Sequence, residues 1–172
     1  MINDGISLNK EKFKQVLHYI ISNVGDLDNI GKTVLWKMLY FSDFDHYEIK
    51  EVPLTGERYV KLPKGPAPRD FDNLIQELEK ESKVERYESK YCEKPQQKFR
   101  SISQPKLDLL NKDEIQIIDK TIKKLSSMNA TQVSAYSHED TPWKASENME
   151  EIDYELVFYR NPIYSAVEKI IN

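Results

Sequence analysis

The chain has 172 residues, the length of one ordinary domain, and we expect a single domain spanning residues 1–172. It carries 25 Lys and Arg against 29 Asp and Glu, and the net charge of −4 argues against a dedicated nucleic-acid-binding protein, which usually has a basic surplus. The single cysteine, Cys92, excludes an internal disulfide and a cysteine-based zinc site, and it fits a reducing cytoplasm.

The sequence predicts neither a secretory signal nor a membrane-spanning helix. The first residues lack the apolar core of a secretory signal. No stretch reaches the run of about 18 apolar residues that a spanning helix needs. We therefore expect a cytoplasmic protein without a membrane partner.

Two helices are predicted near the N-terminus. Residues 10–22 place apolar side chains three and four positions apart, which is one face of a helix. Residues 31–47 are apolar around almost the whole circumference, a pattern typical of a helix buried among other elements. We expect this second helix to be the centre of the core.

The middle of the chain predicts a loop, a helix and a hairpin. Residues 52–69 are rich in proline and read as a loop containing one short strand at residues 58–62. Residues 69–82 have helical spacing with Asp70 as the N-cap. Residues 83–91 and 98–102 are expected to be strands joined by a loop at residues 92–97, and they could form a three-stranded sheet with residues 59–62.

Capping signals predict helices through the C-terminal third. Asn111 with Glu114 has capping-box spacing, and so does Asn129 with Gln132. Thr141-Pro142 and Asn161-Pro162 read as N-cap followed by N1, the latter before an apolar series that includes Ile170. Residues 152–159 are ambiguous between strand and helix. The expected fold class is mainly α (α+β), a compact helical domain around a buried central helix with a small antiparallel β-sheet.

The polar residues most able to do chemistry lie in two segments. Asp43, Asp45 and His46 could combine with His138 and Asp140 as metal ligands or as a general acid and base. No defined metal-binding spacing is present, however, and such residues also end helices or bond to nearby backbone. We therefore assign no metal, no cofactor and no catalytic residue, and keep a metal-dependent hydrolase as the least favoured function.

Other short patterns have structural interpretations that we prefer. Ser137 and His138 are adjacent without a nucleophile-elbow motif, and Cys92 has no histidine near it in sequence. The segment at residues 64–66 contains a proline, which removes a backbone N–H that a phosphate cradle needs, so we expect a rigid turn. Basic and aromatic residues alternate between Lys90 and Arg100, but interspersed glutamates favour a solvated or protein-binding face over single-stranded nucleic acid.

Four blocks of the sequence resemble one known family, the SocA-like or Panacea domain, which also includes phage-associated, GepA-like proteins. Residues 37–43 resemble its KLLYFSD helix, residues 54–59 its LTGxxY segment and residues 65–66 its GP turn. Residues 134–143 resemble its LSxxSHxDxPW signature. The signature positions, which we expect to be structural, are Tyr40, Asp43, Tyr59, Gly65, Pro66, His138, Asp140 and Trp143.

The resemblance implies a function as well as a fold. It implies the antitoxin of a bacterial or phage toxin–antitoxin pair, which neutralises a partner toxin protein by direct binding and is compatible with a homodimer. The alternative is a DNA-binding transcriptional regulator, since antitoxins often autoregulate. The resemblance also gives the signature a packing role: Trp36, Tyr40 and Trp143 join the central helix to the C-terminal region, and His138 and Asp140 bond to Tyr59 or to the Gly65 turn.

Overall fold

A computed structural model describes residues 2–167. Its elements are six α-helices, four short strands and a 3-10 helix within the described range. The helices are α1 (Lys10–Val24), α2 (Lys32–Lys50), α3 (Phe71–Lys80), α4 (Lys112–Leu125), α5 (Ala130–His138) and α6 (Thr141–Lys144). The strands are β1 (Tyr59–Leu62), β2 (Gly65–Pro68), β3 (Val84–Tyr91) and β4 (Lys94–Ser101), and the 3-10 helix is Tyr154–Tyr159.

The central helix is α2, as its all-round apolar sequence predicts. It contacts α1, α4, α5, β2 and the 3-10 helix, so that most of its circumference is covered by other elements. Four polar side chains, Lys37, Ser42, Asp43 and His46, are nevertheless buried along it. Buried polar groups require partners, and these partners organise the region described below.

Local capping defines the ends of the other long helices. The Asn9 side chain accepts from the backbone N–H of Lys12 at the start of α1. Both expected capping boxes are present, Asn111 with Glu114 at α4 and Asn129 with Gln132 at α5. The N-cap of α6 is Asp140, so the prediction of Thr141 is wrong by one residue.

The sheet prediction needs a correction, because the strands of the described residues form two separate antiparallel pairs, β1–β2 and β3–β4, rather than one three-stranded sheet. Residues 64–66 were expected to be a rigid turn, but Gly65 and Pro66 belong to the second strand, Gly65–Pro68. Its prolines are tolerated because they lie opposite Tyr59 and Lys61, whose backbone groups bond instead to Ile152 and to residues 149–150 on the other side of β1.

The β3–β4 hairpin is longer and tighter than expected. Its turn consists of Cys92 and Glu93 alone, both with positive φ (51° and 68°), a conformation whose twist matches that of the flanking strands. Residues 94–97, expected in a loop, therefore belong to β4.

The C-terminal region resolves the remaining assignments. The segment at residues 152–159 was ambiguous between strand and helix in the sequence. Residues 151–152 bond to β1, and the 3-10 helix Tyr154–Tyr159 follows. The Asn161 side chain accepts from the backbone N–H of Ile163 and starts a turn, while Ile170 lies outside the described residues. The α+β fold class is confirmed, and no helix in residues 2–167 is long and apolar enough to cross a membrane.

Candidate functional site

Asp43 fixes the loop that follows α2. Its carboxylate is buried and accepts three hydrogen bonds of 2.6 Å, from the backbone N–H of Thr55, the Thr55 hydroxyl and the Tyr59 hydroxyl. Burial raises the pKa of Asp43, and the three bonds oppose that rise. The residue therefore ties the segment at residues 54–59 to the central helix.

Asp140 joins three other parts of the chain. Its carboxylate makes no capping bond at α6 and accepts instead from the Tyr40 hydroxyl at 2.8 Å. Arg160 adds a bidentate pair, with Nε and Nη2 both 2.9 Å from the carboxylate oxygens. Asp140 thus links α2, α6 and the C-terminal segment.

Arg160 is the centre of a buried charge cluster. Besides Asp140, it donates to Asp45 at 2.7 Å and to Glu48 at 2.9 Å. Burial raises the pKa of Asp45 to about 6, against the opposing effect of Arg160. Three carboxylates share one guanidinium, so the cluster depends strongly on that cation.

The segment from residue 160 to residue 167, which we call the C-terminal strap, is held against α2 and α5. Glu48 accepts from the Ser165 hydroxyl at 2.5 Å and from the backbone N–H of Ala166 at 2.8 Å. Tyr164 stacks on Tyr136 with ring centroids 4.7 Å apart. The charge cluster and this stacking fix the strap along most of its length.

Gly65 and Pro66 surround the end of a buried lysine. Lys37 is only 1% exposed and donates to the carbonyl of Pro66 at 3.1 Å. Burial lowers the pKa of Lys37 to about 8. Gly65 has φ of +116°, and a Cβ there would overlap Ser137 and the Cε of Lys37 at 2.6 Å, so the position requires glycine. This crowding leaves no phosphate cradle.

His138 has a different role from the one expected. Its ring stacks on Trp143 at 4.4 Å between centroids, and its buried Nε2 has no hydrogen-bond partner within residues 2–167. Trp143 in turn donates to the carbonyl of Leu62 at 3.2 Å. The expected bonds from His138 and Asp140 to Tyr59 or to the Gly65 turn are therefore absent.

Trp36 also departs from its expected packing. Its ring meets Phe71 of α3 edge-on at 6.0 Å, so it packs toward the middle of the chain rather than toward the C-terminal region.

Of the groups considered for catalysis, only Asp45 and Asp140 meet within the described residues, and both are paired with Arg160. Asp43 and Asp45 belong to different networks, and His46 Nδ1 lies 2.6 Å from the carbonyl of Val52. No group of three His, Cys, Asp or Glu side chains in residues 2–167 could hold a metal ion. The Ser137 hydroxyl donates to the carbonyl of Ser134 at 2.9 Å, and Cys92 is exposed at the hairpin turn.

Three of the basic and aromatic residues of the hairpin, Lys98, Phe99 and Arg100, are engaged within the fold. Lys98 is buried and donates to the carbonyls of Leu27 and Ile30, and Phe99 is part of the core. Arg100 lies over the Tyr87 ring and pairs with Glu85 at 3.3 Å. The hairpin therefore offers no row of stacking rings for single-stranded nucleic acid.

The strap covers one side of a groove that the sequence did not reveal. A cavity of about 130 Å³ is enclosed by α2, α4, α5 and the strap. It adjoins a more open depression of about 390 Å³. Both are lined by Ile49, Ile117, Lys120 and Ala166, and we call the two together the strap groove.

Several organising residues were missed because their partners are distant in sequence. Arg160 reaches Asp45 and Glu48 across more than a hundred residues. The surrounding sequence distinguishes Arg160 only as the one basic residue between residues 145 and 168. Glu57 was also missed. Its side chain is buried and accepts from the backbone N–H groups of Arg58 at 2.7 Å and Asp70 at 2.9 Å.

Comparison with known proteins identifies one family. The model of the family described as antitoxin SocA-like, Panacea domain, matches residues 35–144, which is well over half of the chain. The match extends from α2 to α6 and includes all eight signature positions, whereas Arg160 and the strap lie outside it. No curated protein and no solved structure matches the chain.

Proposed function

Because the chain belongs to the antitoxin SocA-like, Panacea domain family, we propose that it is the antitoxin of a toxin–antitoxin pair and neutralises its toxin by direct protein–protein binding. The family match is the observation that carries this proposal. The partner is a protein encoded beside this chain, and the site of action is the cytoplasm. Residues 1–172 act as one domain without a cofactor.

The contacts of the signature residues favour binding over catalysis. Asp43 and Asp140 are saturated by donors from the chain itself, and Lys37 is enclosed by the Gly65 strand. A catalytic group must be able to reach a substrate, whereas these groups hold the fold together. We therefore assign the eight signature positions structural roles.

DNA binding is the alternative that the charge distribution disfavours. The net charge is −4, and two basic side chains of the hairpin, Lys98 and Arg100, are used within the fold. A DNA-binding antitoxin would need a basic face to neutralise phosphates. A steep fall of DNA affinity with salt would be the signature of that alternative.

The proposal is tested by co-expression with the neighbouring gene. The neighbour is expressed alone and together with this chain, growth is measured, and a tag on this chain is used for purification. We expect the neighbour to arrest growth, this chain to restore it, and the two proteins to co-purify.

Each contrary result removes a defined part of the proposal. Restored growth without co-purification would overturn direct binding and favour detoxification by catalysis. A harmless neighbour, or a toxic one that this chain does not counter, would overturn the antitoxin assignment for this pair.

A further inference from the structure

We propose that the toxin docks on an acidic groove beside β1 through a segment that carries Lys or Arg next to apolar residues. The groove is a depression of about 660 Å³ between Ile2 and residues 145–156. The inference rests on the proposed function and deepens it by naming the surface and the chemistry of the partner.

The negative charge of the chain is concentrated at this groove. Residues 145–159 contain five of the 29 acidic residues and none of the 25 basic ones. The rest of the chain therefore has 24 acidic and 25 basic residues and is close to neutral. This one segment accounts for the acidic character of the protein.

Two carboxylates at the rim are available to a partner. Glu147 and Glu150 line the groove, are exposed, and form no side-chain hydrogen bond or ion pair within residues 2–167. The other acidic lining residues are engaged, because Glu151 pairs with Arg58 at 3.4 Å and Asp153 caps the 3-10 helix. The docking charge of the groove is therefore assigned to Glu147 and Glu150.

Lys61 and Lys144 border this segment, and both have other partners. The Lys61 ammonium donates to the carbonyl of Ser146 at 3.0 Å and lies 4.2 Å from the centre of the Trp143 ring. Lys144 pairs with Glu139 at 3.4 Å. Neither lysine forms an ion pair with the two rim glutamates.

Apolar side chains form the floor of the groove. Ile2 lies in it and is 49% exposed, and Ala145 and Leu156 also line it. Residues three apart share a face of a 3-10 helix, so Tyr159, which is 76% exposed, continues the face of Leu156. Apolar side chains gathered at a depression mark an interaction site more strongly than scattered ones do.

Unpaired carboxylates around an apolar floor fit a cationic protein segment. Complementary charge favours correct encounter, whereas the phosphates of a nucleic acid would be repelled. No group of three His, Cys, Asp or Glu side chains among residues 2–167 could hold a metal ion. Lys and Arg combine a cation with an apolar stem, so their side chains match both the rim and the floor.

The rim is held in place before the partner arrives. The backbone N–H of Met149 donates to the carbonyl of Lys61 at 2.8 Å, and the N–H of Lys61 donates to the carbonyl of Glu150 at 2.9 Å. Ile152 adds a bond to the carbonyl of Tyr59 at 2.8 Å. A preformed backbone does not have to be ordered on binding, which lowers the entropy cost of association.

The first test is a matched pair of charge reversals. The double variant Glu147→Lys/Glu150→Lys reverses the rim of the acidic groove. Glu88→Lys/Glu93→Lys makes the same charge change at two exposed positions of the hairpin, away from the groove. Thermal unfolding establishes that each variant is folded.

The second test removes the same apolar side chain at two sites. Ile2→Ser changes the floor of the groove, and Ile102→Ser is its control, since the two isoleucines are 49% and 47% exposed and Ile102 does not line the groove. An affinity tag after residue 172 leaves Ile2 undisturbed.

Binding to the neighbouring gene product is measured for every folded variant at low and high salt, together with growth rescue and oligomeric state. We expect the rim reversal to bind at least about tenfold more weakly at low salt, equivalent to about 1.4 kcal/mol. Ile2→Ser should bind at least about threefold more weakly because less apolar surface is buried. Both controls should bind as wild type.

Two further results are expected from the charges. Added salt should weaken the binding of wild type more than that of Glu147→Gln/Glu150→Gln, which removes the charge and keeps the size of both side chains. Replacing Lys or Arg of the partner segment by Glu should restore binding to the rim reversal.

The contrary outcomes are distinguishable. If wild type binds and the groove variants bind equally well, the docking surface is wrong while the antitoxin proposal stands. If the groove variants abolish self-association of this chain and leave partner binding unchanged, a second copy occupies the groove, and the inference is overturned. If wild type does not bind the neighbour, the proposed function fails and the inference fails with it.

Discussion

Asp43 on α2 and Asp140 beside it are both buried, yet their carboxylates are stabilised in different ways. Asp43 receives three neutral donors from Thr55 and Tyr59, all within 16 residues of it in sequence. Asp140 receives a charged, bidentate guanidinium from Arg160, and Tyr40 reaches it across 100 residues.

The difference separates a local loop from a long-range anchor. The neutral donors to Asp43 all come from the segment at residues 54–59, which follows α2 closely in sequence. The Arg160 cluster exists only when α2, α6 and the strap have come together, and its three carboxylates are uncompensated without the cation. We therefore expect the two networks to respond differently when each is broken.

The largest effect is expected for Arg160→Met. The substitution keeps an apolar stem and leaves Asp45, Glu48 and Asp140 without their buried counter-charge. Breaking such a cluster by removing one side costs about 3–5 kcal/mol, and we expect a loss of that size in the free energy of unfolding measured in urea.

The triple variant that also carries Asp45→Asn and Glu48→Gln is the control for this prediction. It removes most of the orphaned charge and should recover part of the stability. A single Arg160→Met variant that loses less than about 1 kcal/mol would show that the cluster does not hold the strap.

A second prediction concerns the buried charge of Lys37. Its pKa is lowered from 10.5 to about 8, so the unfolded chain binds the proton more tightly than the folded protein does. The charge opposes folding by about 3 kcal/mol, fully below about pH 8, and this penalty decreases as the pH rises toward 10.5.

The measurement compares wild type with Lys37→Met, which has a similar length and no charge. Between about pH 8 and 9.5 the wild type should gain about 2 kcal/mol in free energy of unfolding relative to the variant. An NMR titration of the Lys37 side chain provides a direct check. A constant difference across this range would contradict the burial of a charged Lys37.

A smaller effect is expected at Asp43. In Asp43→Asn the amide nitrogen faces groups that all donate, so at least one buried donor loses its acceptor. The cost is about 1–3 kcal/mol in urea unfolding. Tyr59→Phe is the matched, milder change, since it removes one donor and leaves the other two bonds, and it should cost about 1 kcal/mol. Equal stability of Asp43→Asn and wild type would contradict this geometry.

The same contrast between local and long-range contacts explains which features the sequence predicts. The helices α1, α2 and α4 and both capping boxes depend on residues within a few positions of one another, and they were all anticipated. The hairpin turn was missed because Cys92 and Glu93 are unusual residues at positive φ, where Asn or Gly is typical.

The sequence predicted which residues belong to the candidate site but not how they are arranged in it. Motifs identified Tyr40, Asp43, Tyr59 and Asp140, but not which of them bond to each other. The pairing Tyr59–Asp43 rather than Tyr59–His138 depends on how β1 docks against α2. The strap groove is formed by elements that no local pattern brings together.

The smallest expected effect is at His138, where stability and neutralisation can be separated. His138→Phe keeps a ring stacked on Trp143 and removes the buried, unpaired Nε2, so the free energy of unfolding should stay within about 0.5 kcal/mol of wild type. His138→Ala removes the stacking and should lose about 1 kcal/mol. If His138→Phe is as stable as wild type but no longer restores growth against the neighbouring gene product, the unpaired nitrogen serves binding rather than the fold. Unchanged rescue would keep His138 among the structural residues.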